Sequence, residues 1–335
     1  MPAFITGTGL AVPDRVVSNE ELAPALGLDP EQIFKSSGIR RRRWAEPGTP
    51  TSALAARALE HALADAALAA ADVDYLLFGT MSPDRFIPGS APAVQKLLGL
   101  GEIPCLDIRG ACCNALYGLQ LAAALVGSGA ARHVALCLAE IQSAWLDLSP
   151  ESGTTSMLFG DGASALVVSS EHREGALRIV DILLATDGGY IDDLGVRCPG
   201  TEFGTTRTHD PGAHAADYQP RMMGQSVIIN GSRRMTAACR TLLERQGLAV
   251  ADVQWVVPHQ GNANLLAQVG RALRFAPAER GGVVQVLEDY GNTSSASMGM
   301  ALDTLRRSAQ LQAGDHLLLP AFGAGFTWGA GLCRA

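Results

Sequence analysis

The sequence lacks several features that would define its class at once. Its longest apolar stretches are interrupted by Gly, Asp, Arg or His before they reach the roughly 18 consecutive residues that a membrane span requires. The N-terminus has no basic start followed by a long apolar core, so we expect no signal peptide and a soluble, cytoplasmic protein. Aromatic residues make up only 5% of the chain, but 47% of it is hydrophobic, which excludes a disordered or fibrous protein.

The chain also has no excess of positive charge. With 26 Lys and Arg against 33 Asp and Glu, its formal net charge is −7, which argues against a nucleic-acid-binding protein. The 7 cysteines include no Cys-x-x-Cys pair or other metal-like spacing, so we expect neither a metal site nor a disulfide framework. Most of these thiols are expected to be buried core residues.

Helical and strand-like segments alternate along the chain, which predicts an α/β protein. Residues 53–70 are predicted to form a helix and residues 74–79 the strand that follows it. Residues 113–126 are predicted to form a second helix, ended by a Gly C-cap, and residues 133–138 a strand that is apolar on both faces.

Two short similarities indicate an internal duplication. Residues 71–77 match 251–257 at an offset of 180, and 116–119 match 297–300 at an offset of 181. Chance similarity between apolar segments is the alternative. Between the two halves, residues 187–220 have little periodicity and are too long for an ordinary connection, so we expect an insertion that covers the substrate.

Cys112 stands where an apolar strand runs into an apolar helix. The free N–H groups and the positive dipole end of a helix N-terminus favour a thiolate over a thiol, so Cys112 is a candidate nucleophile. The alternative is a small core residue at a tight junction.

The second half offers three more candidate positions. His259 follows a buried strand at its carboxyl end, where open α/β sheets bind ligands, although a structural histidine is the alternative. Asn292 lies 181 residues after Ala111 and so occupies the duplicated equivalent of the Cys112 junction. Residues 321–329 form a Gly-rich turn, which is either a tight bend or a place where backbone N–H groups reach a substrate oxygen.

Together these segments resemble the β-ketoacyl-acyl-carrier-protein synthase III class, a ketosynthase family of the thiolase superfamily. The resemblance spans nearly the whole chain, and the order and spacing of its pieces are highly specific. The pieces are Ser37-Gly38-Ile39-Arg40, the Cys112 helix, Phe159-Gly160-Asp161-Gly162-Ala163, Met222-Met223-Gly224, His259-Gln260-Gly261-Asn262, Gly291-Asn292-Thr293-Ser294 and Phe326-Thr327-Trp328-Gly329.

The resemblance implies a thiolase-like five-layered α/β/α/β/α fold built from two duplicated halves. The half that carries the nucleophilic Cys is expected to span residues 1–172, and the half that carries the His and the Asn residues 173–335. A homodimer is also implied, acting on the phosphopantetheine thioesters of coenzyme A or acyl carrier protein. No cofactor, metal, nucleic acid or membrane is implied.

The family triad is present as Cys112, His259 and Asn292, and the neighbouring Cys113 is expected to be structural. By the resemblance, Cys112 is acylated by a thioester, and the backbone N–H groups of Cys112 and Ala324 form an oxyanion hole. His259 and Asn292 are then expected to donate hydrogen bonds to a malonyl thioester oxygen while CO₂ leaves. A carboxamide suits that role because it donates but is no base.

These residues favour decarboxylative Claisen condensation to a β-ketoacyl product, in fatty-acid or secondary-metabolite (polyketide-type) biosynthesis. Relatives that react differently need a further base such as a Glu or a second Cys, and the Gly-rich turn contains no Cys. Two alternatives remain open: transfer of the acyl group to a hydroxyl or amine acceptor, and a non-catalytic partner subunit of a heterodimeric synthase.

Several positions depart from the family pattern. Gln32 and Gly153 stand where members clamp the adenine of acyl-CoA between a Trp and an Arg. Asn264 and Ile229 replace two cationic contacts to the carrier or its phosphopantetheine. These changes make a specialised acyl primer competitive with acetyl-CoA.

Other positions are expected to contact the carrier or the substrate. Arg271 is kept, and Arg233 with Arg234 could form a basic carrier-docking patch, unless they are only a solvated helix face. Ile87 aligns with a Phe that reaches across the dimer to close the acyl pocket. The remaining expected substrate contacts are Gln225, Ile228, Gly323 and Gly325.

Overall fold

A computed structural model of the chain describes residues 1–203, 215–276 and 280–335. Its strands are β1 Ala3–Ala11, β2 Val16–Ser18, β3 Arg41–Arg43, β4 Tyr75–Gly79, β5 Cys105–Ile108, β6 His133–Glu140, β7 Gly162–Ser169, β8 Leu177–Thr186, β9 Leu194–Gly195, β10 Arg221–Met222, β11 Trp255–Val256, β12 Gly282–Val283, β13 His316–Gly323 and β14 Thr327–Arg334. Its α-helices are α1 Asn19–Leu26, α2 Pro30–Ser37, α3 Thr51–Ala66, α4 Ala91–Leu98, α5 Asn114–Ser128, α6 Gly153–Ser156, α7 Gly224–Arg245, α8 Ala263–Leu273, α9 Leu287–Tyr290 and α10 Ser297–Arg307.

The main sheet repeats one strand order twice. Its ten strands run β12-β11-β13-β14-β8-β1-β7-β6-β4-β5. Read from each edge inwards, β5-β4-β6-β7-β1 and β12-β11-β13-β14-β8 have the same topology, with parallel pairs at the edge and antiparallel pairs towards the centre. The two sets join where β1 pairs with β8, Ala3 lying opposite Ile179. The predicted duplication is therefore present in the strand topology.

Apolar side chains on both faces of the strands place helices on both faces of the sheet. In β6, Leu136 and Leu138 belong to a central cluster with α5 and α10, whereas Cys137 and Ala139 face the cluster formed with α3 and α4. In β13, alternate residues likewise face the central helices and the outer helices α7 and α8. The layers are α3/α4, sheet, α5/α10, sheet and α7/α8.

This arrangement confirms the predicted thiolase-like five-layered fold. The strands of the first set end at Ser169 and those of the second begin at Leu177, with β1 and β8 adjacent. The boundary between residues 172 and 173 stays a prediction, because the continuous sheet shows no separation at that point.

The central helix α5 follows the sequence prediction closely. It ends at Ser128, and Gly129 adopts the left-handed conformation (φ 78°) with its N–H donating to the Leu125 carbonyl. With the turn before it, the segment Ala111–Ser128 is long and apolar enough to span a membrane, with half (50%) of it buried inside the protein. Leu116 and Leu119 are among the side chains that place it in the central cluster, and a core helix passes the same test of length and composition.

Strand β1 is rich in glycine because helix α3 lies directly against it. A Cβ atom at Gly7 would lie 2.2 Å from the Ala62 carbonyl oxygen, and one at Gly9 would lie 2.3 Å from the Ala58 carbonyl oxygen. Glycine within a strand often marks such a close approach of another backbone. The small residues of both elements therefore set the distance between α3 and the sheet.

We expect Gly7→Ala to lower the free energy of unfolding by about 1–3 kcal/mol, the usual cost of forcing extra volume into a close contact. Gly282→Ala is the matched control, because a Cβ at Gly282 meets no atom within 4 Å. Chemical denaturation of both variants measures the difference. Equal stabilities would show that α3 can move away from β1 at no cost.

Candidate active site

The three side chains predicted as a triad converge on one cavity. Cys112 precedes α5, His259 follows β11, and Asn292 follows α9, so they come from three separate parts of the chain. All three line a cavity of about 630 Å³, together with Ala324 from the turn between β13 and β14.

Cys112 lies in a tight turn at the start of the central helix. Ala111–Cys113 form a 3₁₀ turn before α5, and Ala111 takes a positive φ of 49°. The Cys112 Sγ lies 3.4 Å from the Ser294 Oγ. Burial raises the pKa of Cys112 to about 11, and the nearby Glu140 carboxylate acts in the same direction. The expectation of a thiolate at rest is therefore wrong, because desolvation outweighs the helix terminus.

The Gly-rich turn lies directly against the nucleophile. A Cβ atom at Gly323 would lie 2.9 Å from the Cys112 backbone nitrogen and 3.0 Å from its Cβ. Only glycine allows this approach, which brings Ala324 to the cavity beside Cys112. The Gly-rich turn thus lines the site, which an oxyanion hole formed by the Cys112 and Ala324 N–H groups requires.

A serine fixes the orientation and tautomer of His259. The Ser297 hydroxyl donates to the Ser294 carbonyl at 2.9 Å and accepts from the Gln260 N–H at 3.1 Å. Its 2.8 Å contact with His259 Nδ1 must then be one in which Nδ1–H donates. The Nε2 atom of His259 is left with a lone pair.

His259 and Cys112 are both neutral in the resting site. Burial lowers the pKa of His259 to about 4, and the imidazole is only 6% exposed. A neutral imidazole with a free lone pair can accept the thiol proton as Cys112 attacks. It can donate from Nε2 only after gaining a proton, which refines the expected role as a donor.

Asn292 is held as a donor. Its Oδ1 accepts the Ser294 N–H at 2.9 Å, so the two N–H groups of Nδ2 remain for a ligand. Its backbone is fixed on both sides, since its N–H donates to the Leu158 carbonyl at 2.8 Å and its carbonyl accepts from the Gly160 N–H at 3.1 Å. The side chain is 7% exposed and lines the cavity.

Sequence reasoning missed Glu140, which ties the site together. This fully buried carboxylate ends β6 and accepts from the Ser295 hydroxyl at 2.6 Å, the Ser82 hydroxyl at 2.9 Å and the Met81 N–H at 3.0 Å. Burial raises the pKa of Glu140, and these donors oppose the rise. A single charged residue at the end of an otherwise apolar strand was the available signal.

No role was predicted from the sequence for Ser294 and Ser297, which contact Cys112 and His259 respectively. Both lie in the short stretch that follows Asn292. Their neighbourhood could be predicted from the Asn292 motif, but their hydrogen-bond partners come from distant parts of the chain.

Only some of the residues expected to contact the substrate lie at the cavity. Ile228 lines it, and Gly323 contacts Cys112 as described. Gln225 is exposed and Gly325 lies at a positive φ of 133° beyond Ala324, and neither lines the cavity. Ile87 is 79% exposed and also lies outside it, so its expected role across a dimer stays a prediction.

The expected insertion does contribute cavity walls. Leu194, Val196 and Pro199 line the cavity, whereas residues 204–214 of the same insertion lie outside the described residues.

Cys113 is fully buried, and its thiol donates to the Thr327 carbonyl at 3.5 Å. In the described ranges, no group of three or more His, Cys, Asp or Glu side chains could hold a metal ion.

The expected basic patch needs one correction. Arg233 and Arg271 are exposed on α7 and α8. Arg234 instead turns inwards: its side chain is 13% exposed, pairs with Asp187 at 2.7 Å and lies over the Trp328 ring at 4.1 Å. It braces the start of the insertion and is not available on the exposed face. Arg240, seven residues or about two turns further along α7, lines a shallow groove between the two helices together with Arg233.

The fold and site define a class of protein. A thiolase-like fold with a Cys, a neutral His and a donor Asn around one cavity is the arrangement of an acyl-transferring condensing enzyme. The family described as 3-oxoacyl-[acyl-carrier-protein (ACP)] synthase III matches residues 106–188, and its C-terminal part matches residues 243–335.

Individual relatives are similar to this chain over almost its whole length. The β-ketoacyl-[acyl-carrier-protein] synthase III of Chlamydia caviae is 36% identical over 333 residues, which cover 99% of this chain and 96% of that protein. The crystal structure of the Aquifex aeolicus synthase III superposes with a TM-score of 0.88 at 30% identity, covering 99% and 100%. The priming β-ketosynthase of the R1128 polyketide pathway gives 0.88 at 31% identity, covering 99% and 96%.

The chain belongs to the 3-oxoacyl-[acyl-carrier-protein] synthase III family. The predicted family and enzyme class, a ketosynthase III-type acyltransferase, are thereby confirmed. Transfer to a hydroxyl or amine acceptor and a non-catalytic subunit are not favoured, because the named relatives are condensing enzymes.

The protonation states predict a flat pH profile for acylation of Cys112. With the pKa of His259 lowered to about 4 and that of Cys112 raised to about 11, the neutral pair persists between these values. The single-turnover acylation rate should not change between about pH 5.5 and about pH 8.5 and should fall as His259 gains a proton at lower pH. Rapid-quench mass spectrometry measures it. An inflection near 6.5, the ordinary histidine value, would contradict the assignment.

Proposed function

We propose that the protein condenses an acyl group held on Cys112 with a malonyl thioester, releasing CO₂ and a β-ketoacyl thioester. The carrying observation is the meeting of Cys112, His259 and Asn292 around one cavity, with Asn292 fixed as a donor and His259 as a proton acceptor. Fatty-acid or polyketide-type biosynthesis is the setting, as the names of the relatives indicate.

In the first step, the Cys112 sulfur attacks an acyl thioester while its proton passes to His259 Nε2. The backbone N–H groups of Cys112 and Ala324 stabilise the oxyanion, and the closeness of Gly323 to Cys112 supports this pairing. The proton then leaves with the departing thiol, so Cys112 carries the acyl group and His259 is neutral again.

In the second step, a malonyl thioester loses CO₂ and its electrons form an enolate. The Asn292 Nδ2 donates to the enolate oxygen, because its Oδ1 is occupied by the Ser294 N–H. The enolate carbon attacks the acyl carbonyl, and the Cys112 sulfur departs and regains a proton from solvent through His259. This sequence needs no base beyond the groups described.

We expect Asn292→Ala to separate the two steps. Acylation of Cys112 should persist, whereas release of CO₂ and β-ketoacyl product should fall on the order of 10²–10³-fold, the usual loss for one donor to a developing oxyanion. Intact-protein mass measures the acyl adduct, and radiolabelled malonyl thioester measures CO₂.

The control for that experiment is Cys112→Ala, which should abolish the adduct. Unimpaired condensation by Asn292→Ala would overturn the proposed second step. Wild-type protein that takes no acyl group from any coenzyme A or carrier-protein thioester would overturn the function as a whole.

We propose that acyl carrier protein docks on the exposed face of α7 and α8. Arg233 and Arg240 line the groove between these helices, Arg271 lies at the end of α8, and Ile229 is 58% exposed among them. A carrier that presents acidic side chains around its thioester arm would find complementary charge here. The cavity residues Ile228 and Leu265 belong to the same two helices, so the arm has a short path inwards.

Arg233→Glu should therefore raise the KM for a carrier-protein substrate about tenfold and leave the KM for the corresponding coenzyme A substrate almost unchanged. Arg57→Glu, an exposed charge reversal on α3, is the matched control and should alter neither value. Steady-state kinetics at low salt makes the comparison. Equal effects of Arg233→Glu on both substrates would locate the docking face elsewhere.

We also propose a cytoplasmic homodimer joined through β5. This strand is at the edge of the ten-stranded sheet, where unpaired backbone groups invite another strand. Leu106 on β5 is 44% exposed, and Phe86 and Ile87, in the loop between β4 and α4, are 71% and 79% exposed. An apolar edge of this kind supports an interface with a second copy.

A further inference from the structure

Gln142 is a buried polar side chain in the cavity with no part in the two proposed steps. It begins the short turn Gln142–Trp145 after β6 and is 9% exposed. It lines the cavity, whereas the charged Arg85 and Arg109 of the same lining are exposed. A buried carboxamide beside an acyl cavity calls for a partner.

Glu140 fixes which way this carboxamide points. Gln142 Nε2 donates to Glu140 Oε2 at 3.3 Å. Reversing the amide would set Gln142 Oε1, an acceptor, against the Glu140 carboxylate oxygen that accepts from Ser82 at 2.9 Å. The Oε1 and the second N–H of Nε2 therefore point away from Glu140. Within the described residues, neither has another hydrogen-bond partner.

Gln142 lines the same cavity as Cys112, where the acyl group would be held. His259, Asn292 and Ile228 line this cavity too, and Ile228 belongs to α7, where the thioester arm enters under the proposed function. Gln142 is close to the nucleophile, because it donates to Glu140, whose charge acts on Cys112, and Met81, Ala111 and Trp145 line the same cavity. An acyl chain bound to Cys112 occupies the cavity that Gln142 lines.

A plain hydrocarbon chain would bury Oε1 and the second N–H of Gln142 without forming hydrogen bonds to them. Burying an unpaired carboxamide costs free energy, and a site that hydrogen-bonds a substrate hydroxyl rejects the analogue that lacks it. A hydroxyl is the smallest group that both donates to Oε1 and accepts from the N–H. We propose that the primer is a hydroxyacyl group whose hydroxyl pairs with Gln142. This inference rests on the proposed function of Cys112.

The test compares butyryl thioesters with hydroxybutyryl thioesters that carry the hydroxyl on each of the three available carbons. Each is offered on coenzyme A and on acyl carrier protein, and the rate of Cys112 acylation is followed by intact-protein mass. Wild-type protein should favour at least one hydroxybutyryl isomer over butyryl by about tenfold or more in kcat/KM. Gln142→Leu should reduce that ratio by at least about tenfold.

Gln310→Leu is the matched control, because Gln310 is exposed and lies outside the cavity lining. It should keep the wild-type ratio. If Gln142→Leu does not fold, Gln142→Met takes its place, and the wild-type ratio alone still tests the proposal.

The results distinguish a failure of the hydroxyacyl proposal from a failure of the proposed function. A wild-type preference for butyryl, or equal ratios in wild type and Gln142→Leu, would overturn the hydroxyacyl proposal while leaving the condensation intact. Failure of every primer to acylate Cys112 would overturn the proposed function itself.

Discussion

The reacting groups come from both halves of the chain, and a small set of hydrogen bonds across the boundary keeps them together. Ser295 donates to Glu140 at 2.6 Å, and the Ser164 hydroxyl donates to the Ala296 carbonyl at 2.9 Å. These contacts hold the stretch after Asn292 against strands of the first half. The same stretch supplies the serine beside Cys112 and the serine that orients His259, so the whole site depends on this junction.

Burial sets the resting protonation states of Cys112 and His259. Desolvation disfavours both the thiolate of Cys112 and the imidazolium of His259, and it moves their pKa values apart in opposite directions. Under the proposed mechanism, Cys112 stays protonated until a thioester binds. The proton then has a single prepared acceptor, because Ser297 has fixed the imidazole tautomer. The fold thus supplies positioned groups in place of a permanently charged nucleophile.

Local sequence patterns predicted the parts of the fold that local interactions control. Helix α5 and its glycine cap followed from an apolar period and a Gly-Ser-Gly end, and strand β6 from an apolar run. Offsets of 180 and 181 predicted the duplication that the strand order shows. The thiolate at Cys112 and the docking role of Arg234 were not correct, because both depend on surroundings supplied by distant residues.

The sequence by itself determined the fold class and predicted Cys112, His259 and Asn292 as a triad, because the order of the strand–turn–helix motifs can be read along the chain. Only the tertiary structure decided their charge states, the tautomer of His259 and the direction in which Asn292 donates. It also revealed Glu140 and Gln142, which no motif marks. Hydrogen-bond partners and desolvation arise between residues far apart in the chain, so they exist only once the two halves have closed on each other.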